Sequence, residues 1–141
     1  MVTPCTGGGK KIYSINEGNY SLWDEKIKAA VDAFKGLTGG EKPYSARYVG
    51  SMVSDVHRTL LYGGIFMYPA DSKSKNGKLR VLYEGFPMAL ITEAAGGMAS
   101  TGMFKGSCGR ILDVAPSDIH ERCPIIMGCE RDVNRVLGLY S

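Results

Sequence analysis

The sequence has 141 residues, of which 44% are hydrophobic, and its 17 basic and 14 acidic side chains give a formal net charge of +3. This length and apolar content predict one domain with a single sizeable core. Such a small positive excess excludes the dense basic surface of a non-specific nucleic-acid binder. No run approaches the ~20 apolar residues that cross a bilayer, so we expect a soluble intracellular protein with no membrane partner.

The four cysteines form neither a CxxC pair nor a regular framework. This spacing favours free thiols in a reducing compartment over a zinc site or a disulfide scaffold. The cysteines are Cys5, Cys108, Cys123 and Cys129.

Residues 1–10 contain a glycine-rich polar run that leads directly into a strand-like segment. This composition is typical of a flexible segment, and we expect a flexible leader or a cut loop. Residues 11–141 then form the folded domain.

The first predicted elements are a strand and a helix. Residues 11–15 alternate polar and apolar side chains, as in a half-buried strand, and residues 16–19 have the composition of a turn. Ser21 and Asp24 resemble a capping box at the start of a helix whose apolar face runs to Phe34. Gly36 predicts its end.

The remaining elements alternate between helix and strand patterns. Helices are predicted at about 49–62, 88–95 and 132–140, and strands at 65–68, 79–83, 98–100, 111–114 and 124–127. The first of these helices has an apolar stripe made of Val49, Met52, Val53, Val56 and Leu60. This order predicts an α/β fold, a layered α-β-α domain with a mixed sheet of about five strands.

Four long segments, covering nearly the whole chain from residue 11 to residue 140, resemble the fructose-1,6-bisphosphatase family. They are YSINEGN (13–19), PYSARYVGSMVSDVHRTLLYGGIFMYPADSKSKNGKLRVLYE (43–84), PMALITEAAGG (87–97) and ILDVAPSDIHERCPIIMG (111–128). The resemblance implies the C-terminal, substrate-binding half of the carbohydrate phosphatase fold. The segments NYSLWDEKIKAAVDAF and SKSKNGK look closer to plant and algal members, which implies a cytoplasmic or plastid location.

The resemblance also implies a metal ligand. Glu84 follows a predicted strand and precedes a helix that begins near Pro87, and it matches the family's metal-binding glutamate. Magnesium prefers several convergent carboxylate and phosphate oxygens, and this segment offers one such carboxylate. We therefore expect Mg2+ to be held by Glu84 together with ligands from the N-terminal half of the enzyme. A solvated glutamate at a strand end is the alternative.

A sugar phosphate is best held by hydroxyl and amide donors together with a cation. By resemblance, Asn16, Tyr48 and Tyr68 match residues that contact the 6-phosphate, and Lys78 matches a lysine that contacts sugar and phosphate oxygens. Arg47 matches an arginine that reaches the neighbouring subunit's site. Met52 resembles a residue that lines the sugar pocket, and a core methionine is its alternative. For the remaining five residues, the competing interpretation is a turn residue, a core aromatic or a surface charge.

Two departures from the family pattern stand out. Asn19 occupies a position where many members have a tyrosine, and Tyr20 comes one residue later, which puts that phosphate contact in doubt. The segment 103–110, which contains Cys108, looks like a longer loop than usual.

The resemblance implies hydrolysis of the 1-phosphate of fructose 1,6-bisphosphate by a homotetramer, with this chain supplying the sugar and 6-phosphate site. A sedoheptulose-1,7-bisphosphatase, whose substrate is one carbon longer, is the nearest competing hypothesis. A non-catalytic phosphate-binding fragment is a second hypothesis, and a nucleotide- or inositol-phosphate-binding protein is a third.

Overall fold

The structure is a computed structural model that describes residues 5–6 and 9–141. Residues 1–4 and 7–8 of the predicted leader lie outside the described residues. The described α-helices are α1 (Glu25–Phe34), α2 (Met52–Tyr62), α3 (Phe86–Ala94) and α4 (Glu130–Leu137). The described strands are β1 (Ile12–Ser14), β2 (Ser45–Ala46), β3 (Ile65–Tyr68), β4 (Leu79–Arg80), β5 (Met98–Phe104), β6 (Ser107–Arg110), β7 (Arg122–Cys123) and β8 (Ile125–Gly128).

Six of the strands form one mixed sheet in the order β2-β1-β3-β8-β5-β6, one strand more than the sequence predicted. β1 runs parallel to both β2 and β3, whereas β3, β8, β5 and β6 pair antiparallel in turn. β4 and β7 form a separate two-stranded sheet. None of the helices in the described ranges has the length and apolar content needed to cross a bilayer.

Helices cover both faces of the six-stranded sheet, which confirms the predicted α-β-α layering. Successive side chains of a strand point to opposite faces. Ile65 of β3 therefore packs in one core cluster with residues of α1 and α4, and Phe66 packs in a second cluster with residues of α2 and α3. The chain thus folds around two apolar layers, one on each side of the sheet.

The start of α1 differs from the prediction. The N-cap of α1 is Asp24 and not Ser21. The side-chain Oδ1 of Asp24 accepts the backbone N–H of Ile27 at 2.8 Å. Ser21 lies in a 3-10 helix spanning Glu17–Leu22, which replaces most of the turn predicted at 16–19. The carboxylate of Asp24 is the better cap because it accepts from the first turn with its charge near the positive helix end.

The apolar stripe predicted for α2 is only partly buried. The helix begins later than predicted, so Val49 lies in the preceding loop and is 66% exposed. Val53 is 62% exposed because the buried side of α2 is formed by Asp55, Val56 and Thr59. The prediction for these two valines was wrong.

Two predicted strands are helical in the structure. The strand predicted at 79–83 ends after Arg80, because Val81–Gly85 form a π-helical turn that runs directly into α3. The strand predicted at 111–114 is a 3-10 helix spanning Ile111–Asp113. Short apolar runs carry no clear period, so packing decides between strand and helix.

The segment predicted as a loop at 103–110 is most of a β-hairpin. β5 and β6 pair antiparallel, with Phe104 opposite Ser107. The two residues between them, Lys105 and Gly106, have φ angles of 50° and 86°. Two successive left-handed residues form the tight turn that matches the twist of paired strands.

The C-terminal helix also differs from its prediction at 132–140, since α4 ends at Leu137 and a 3-10 turn follows.

Candidate functional site

Three predicted site residues leave the sheet at the carboxyl ends of its parallel strands. Ser14 of β1 lies opposite Phe66 of β3, so Asn16 and Tyr68, each two residues further along, emerge next to each other. Tyr48 lies two residues beyond the end of β2 on the other side of β1. Ligands of open α/β sheets bind at the carboxyl ends of the strands, and these three residues are positioned by that geometry.

Asn16 and Tyr68 line one shallow recess. The Oδ1 atom of Asn16 accepts the backbone N–H of Gly18 at 3.1 Å and caps the 3-10 helix that follows β1. The amide nitrogen of Asn16 remains as a donor toward an incoming anion. The other residues that line the recess are Ile15, Asn19, Trp23, Met67 and Pro69.

The hydroxyl of Tyr48 is held in its neutral form. Burial raises its pKa, and the nearby Tyr68 and Asp55 raise it further because their anionic forms would repel a phenolate. A neutral phenol can donate a hydrogen bond to a phosphate oxygen. Tyr48 and Tyr68 are therefore two neighbouring donors that suit an anionic ligand.

A buried carboxylate, not predicted as a site residue from the sequence, organises the loop between Tyr48 and α2. Asp55 is fully buried, and its two oxygens accept the backbone N–H groups of Val49 at 3.0 Å and Gly50 at 3.2 Å. Its Oδ1 also accepts from Arg58 Nη1 at 2.7 Å. Asp55 thus fixes the backbone directly after Tyr48. No spacing pattern predicts this role, because it depends on how the loop folds back over α2.

Met52 begins α2 and is half-buried. It packs against the same apolar cluster as Tyr68 and Leu79. The methionine therefore contributes to the core, and its match to a residue that lines the sugar pocket stays a prediction.

Glu84 and Lys78 lie near the two-stranded sheet. Glu84 is in the π-helical turn after β4, is half-buried, and its Oε1 accepts the backbone N–H of Arg80 at 3.0 Å. Lys78 precedes β4 and is exposed, and its carbonyl oxygen accepts from Arg80 Nη1 at 3.0 Å. Among the described residues, no hydrogen bond joins either side chain to Asn16, Tyr48 or Tyr68.

The donor set around Glu84 suits one ligand position of a hard cation. A carboxylate with one oxygen in a backbone hydrogen bond still has an oxygen free to bind Mg2+. Within residues 5–6 and 9–141, no group of three or more His, Cys, Asp or Glu side chains is arranged to hold a metal ion. Glu84 therefore fits magnesium as one ligand of a larger set and does not form a centre alone.

Arg47 lies outside the recess. It lines an open cavity of about 600 Å3 that is also lined by Lys10, Lys11, Lys42 and Arg58, with no acidic side chain among the described lining residues. Arg47 and Tyr48 are consecutive residues that follow β2, and Arg47 is not among the residues that line the recess. The structure therefore does not bring Arg47 together with Asn16 and Tyr68.

Asn19 and Tyr20, where the sequence differs from the family pattern, occupy different surroundings in the structure. Asn19 lines the recess beside Asn16, whereas Tyr20 packs edge-on against Trp23, with ring centroids 5.4 Å apart. The hydroxyl of Tyr20 donates to Asp32 of α1 at 3.3 Å. The tyrosine is thus used in packing, and an amide takes its position in the recess.

A comparison against protein families identifies the family of the chain. Residues 8–141 match the family model described as the fructose-1-6-bisphosphatase C-terminal domain. The chain belongs to this family. The matched range covers all the predicted site residues and both faces of the sheet.

Similar proteins come from plants. The chain is 56% identical over 131 residues to the cytosolic fructose-1,6-bisphosphatase of Oryza sativa subsp. japonica, covering 93% of this chain and 37% of that protein. It is 54% identical over 126 residues to the chloroplastic enzyme of Spinacia oleracea, covering 89% of this chain and 29% of that protein. The chain spans about a third of the length of the curated relatives it matches.

Proposed function

We propose that this chain is the sugar- and 6-phosphate-binding part of an enzyme that hydrolyses the 1-phosphate of fructose 1,6-bisphosphate. The observation that carries the proposal is the convergence of Asn16, Tyr48 and Tyr68 at the carboxyl edge of β1, β2 and β3. The names of the relatives support this substrate, and the relatives include cytosolic and chloroplastic forms. Either compartment, cytosol or plastid, is consistent with the proposal.

Asn16, Tyr48 and Tyr68 are proposed to bind the 6-phosphate and to take no part in the hydrolysis of the 1-phosphate. Neutral phenol and amide groups hold a phosphate dianion with charge-assisted hydrogen bonds, each of which contributes about 1.5–3 kcal/mol. Asp55 keeps the backbone after Tyr48 in position, and Met52 and Tyr68 pack against the same apolar cluster. Lys78 is proposed to add a cation, carried on an exposed turn by a long side chain.

Glu84 is the proposed ligand of Mg2+ in this segment, with the remaining ligands from the N-terminal half of the enzyme. When bound, the metal supplies charge neutralisation and an activated water at the scissile phosphate. The backbone N–H of Arg80 orients the carboxylate of Glu84, which keeps one oxygen directed away from that bond. The proposal therefore assigns sugar binding to one sheet edge and metal binding to the turn before α3.

Arg47 is proposed to serve the site of a second copy in a homo-oligomer, a tetramer in the complete enzyme. It lines the basic cavity and is not among the residues that line the recess of its own chain. The cavity is lined by five cations, so an anionic group from a partner or its ligand would be attracted to it. An Arg47→Ala variant would then weaken substrate binding only in the assembled protein.

The experiment uses a full-length protein in which this segment replaces the matching part of the rice cytosolic relative. Magnesium-dependent phosphate release from fructose 1,6-bisphosphate is measured for the parent and for Glu84→Gln. We expect kcat to fall roughly 100-fold or more, because a metal ligand is lost. Glu130→Gln removes the same charge from an exposed position in α4 and serves as the control.

Two further arms separate the competing hypotheses. Sedoheptulose 1,7-bisphosphate is assayed in parallel, and a higher kcat/KM for it would contradict the proposed substrate. The 141-residue chain alone is expected to release no phosphate with added magnesium, since it contributes one metal carboxylate. Turnover by that chain alone, or full activity of Glu84→Gln, would overturn the proposed division of roles.

A further inference from the structure

Two cysteines that are distant in sequence meet in the structure. The Sγ atom of Cys129 lies 3.0 Å from the Sγ atom of Cys5, although 124 positions separate them in the chain. Both thiols are free in the structure. Cys129 is 3% exposed, and Cys5 is half-buried.

Backbone hydrogen bonds hold Cys129 and, just before β1, Lys10. Cys129 lies between β8 and α4, and its backbone N–H donates to the carbonyl of Gly64 at 2.9 Å. Cys5 precedes β1 along the chain, and Lys10, between them, donates its backbone N–H to the carbonyl of Tyr62 at 2.7 Å. The contact therefore joins the segment before β1 to the start of the last helix.

The surroundings make the two thiols unequal. Hydrogen bonds from Cys5 and from the backbone of Gly64 lower the pKa of Cys129, although burial opposes them, and the nearby Arg131 adds to the lowering while Asp132 raises it. The pKa of Cys5 is raised, chiefly by its hydrogen bond to Cys129 and by burial. A thiolate is the reactive form of cysteine, so Cys129 is the nucleophile and Cys5 the resolving thiol.

We propose that Cys5 and Cys129 form a redox modification site that closes to a disulfide when the protein meets a small peroxide. The thiolate of Cys129 attacks one oxygen of hydrogen peroxide, forming a sulfenic acid and releasing hydroxide, which takes up a proton to become water. The sulfur of Cys5 then attacks the sulfur of Cys129, loses its proton, and expels the second oxygen as water. Two thiols and one peroxide thus give one disulfide and two waters.

The other two cysteines do not share these features. Cys123 is fully buried, and burial raises its pKa to about 12, with Glu121 and Glu84 adding to the shift. Cys108 is on β6 in an exposed position, and partial desolvation of its sulfur raises its pKa, although Lys26 opposes this shift. Closure of the Cys5–Cys129 pair would tether the segment before β1 to α4 and so restrict the unfolded chain.

The test treats the full chain with hydrogen peroxide, alkylates the remaining thiols and measures intact mass and linked peptides. A Cys108→Ser background removes intermolecular disulfides. We expect the oxidised protein to be lighter by two hydrogen atoms, to retain only one alkylatable thiol in that background after unfolding, and to yield one peptide pair joining Cys5 to Cys129. The unfolding midpoint should rise on oxidation and return after reduction.

The variant that decides the question is Cys5→Ser, because it removes only the resolving thiol, at a half-buried position. This variant should form no disulfide, and Cys129 should accumulate as sulfenic or sulfinic acid. The proposal is overturned if the parent protein forms no Cys5–Cys129 link, if oxygen adds to Cys5 alone, or if Cys5→Ser loses thiols to a different internal pair. Far-UV circular dichroism of both variants reports whether the fold is retained.

Discussion

Arg58 donates from Nη1 to the Oδ1 atom of Asp55 at 2.7 Å, one turn away in α2, and the same carboxylate accepts two backbone N–H groups of the preceding loop. The Asp55 side chain is fully buried, and that of Arg58 is 15% exposed. The pair connects the loop that carries Tyr48 to a helix in the core. The position of a predicted phosphate donor therefore depends on a carboxylate that does not touch the phosphate itself.

Replacement of Asp55 by Asn tests this connection. The change removes a charge from three hydrogen bonds and leaves a largely buried guanidinium without its partner, so we expect a loss of about 3 kcal/mol in the free energy of unfolding. Urea unfolding measures the loss. Asp113→Asn removes the carboxylate of another Asp–Arg pair, an exposed one with Arg110 at 3.1 Å, and should cost clearly less. Equal effects at the two positions would contradict the structural role of Asp55.

A second buried contact predicts a pH dependence. The hydroxyl of Tyr44 donates to Asp132 Oδ1 at 2.6 Å, and burial together with this bond raises the pKa of Tyr44 from 10 to about 12. Because the folded state favours the neutral phenol, the stabilisation is complete below pH 10 and is lost as the pH rises toward 12. Tyr44→Phe should therefore lower stability by about 1–3 kcal/mol near neutral pH.

The measurement is urea unfolding of the parent and Tyr44→Phe at about pH 9 and about pH 11. The difference between the two proteins should shrink at the higher pH, because the parent loses part of its advantage. Tyr62→Phe, at a half-exposed position, is the control and should change little at either pH. A difference for Tyr44→Phe that is constant with pH would contradict the assignment.

The turn before Lys78 gives a backbone prediction. Gly77 has φ of 77°, and a Cβ atom there would come within 2.6 Å of the carbonyl group of Cys123. Gly77→Ala should cost more than the roughly 1–2 kcal/mol of a left-handed residue alone. Gly106→Ala, at φ of 86° with nothing within 4 Å, isolates that backbone cost. The prediction fails if urea unfolding gives both variants the same stability.

Much of the fold could be predicted from the periodicity of apolar residues and from the glycines that end helices. The strand at 65–68, the apolar face of α1 and the helix endings at Gly36 and Gly63 follow from alternation, helical period and left-handed glycines. The family segments identified Asn16 and Tyr68 because those residues lie within long ordered matches. Their adjacency then follows from the parallel pairing of β1 and β3.

The remaining features depend on contacts that local sequence does not encode. Leu82 and Tyr83 were predicted as strand residues from their sequence. In the structure a π-helical turn begins at Val81, whose side chain is buried in the core. From its sequence alone, Asp55 would be expected to be a solvated helix residue. In the structure the preceding loop folds over it, and the backbone N–H of Val49 donates to its carboxylate. The contact between Cys5 and Cys129 joins residues 124 positions apart, and only the tertiary fold brings them together.

Binding of fructose 6-phosphate to the 141-residue chain tests the central claim most directly, because it needs no metal and no catalysis. Isothermal titration of the parent, Tyr48→Phe, Tyr68→Phe and Tyr83→Phe compares three single hydroxyl deletions. Tyr83 is half-exposed, and its hydroxyl bonds to His120 Nδ1 at 3.0 Å, which makes it the matched control.

We predict saturable binding by the parent, binding about 10-fold or more weaker for Tyr48→Phe and Tyr68→Phe, and unchanged binding for Tyr83→Phe. The absence of saturable binding by the parent, or unchanged affinity in both Tyr48→Phe and Tyr68→Phe, would contradict a sugar-phosphate site at the carboxyl ends of β1, β2 and β3.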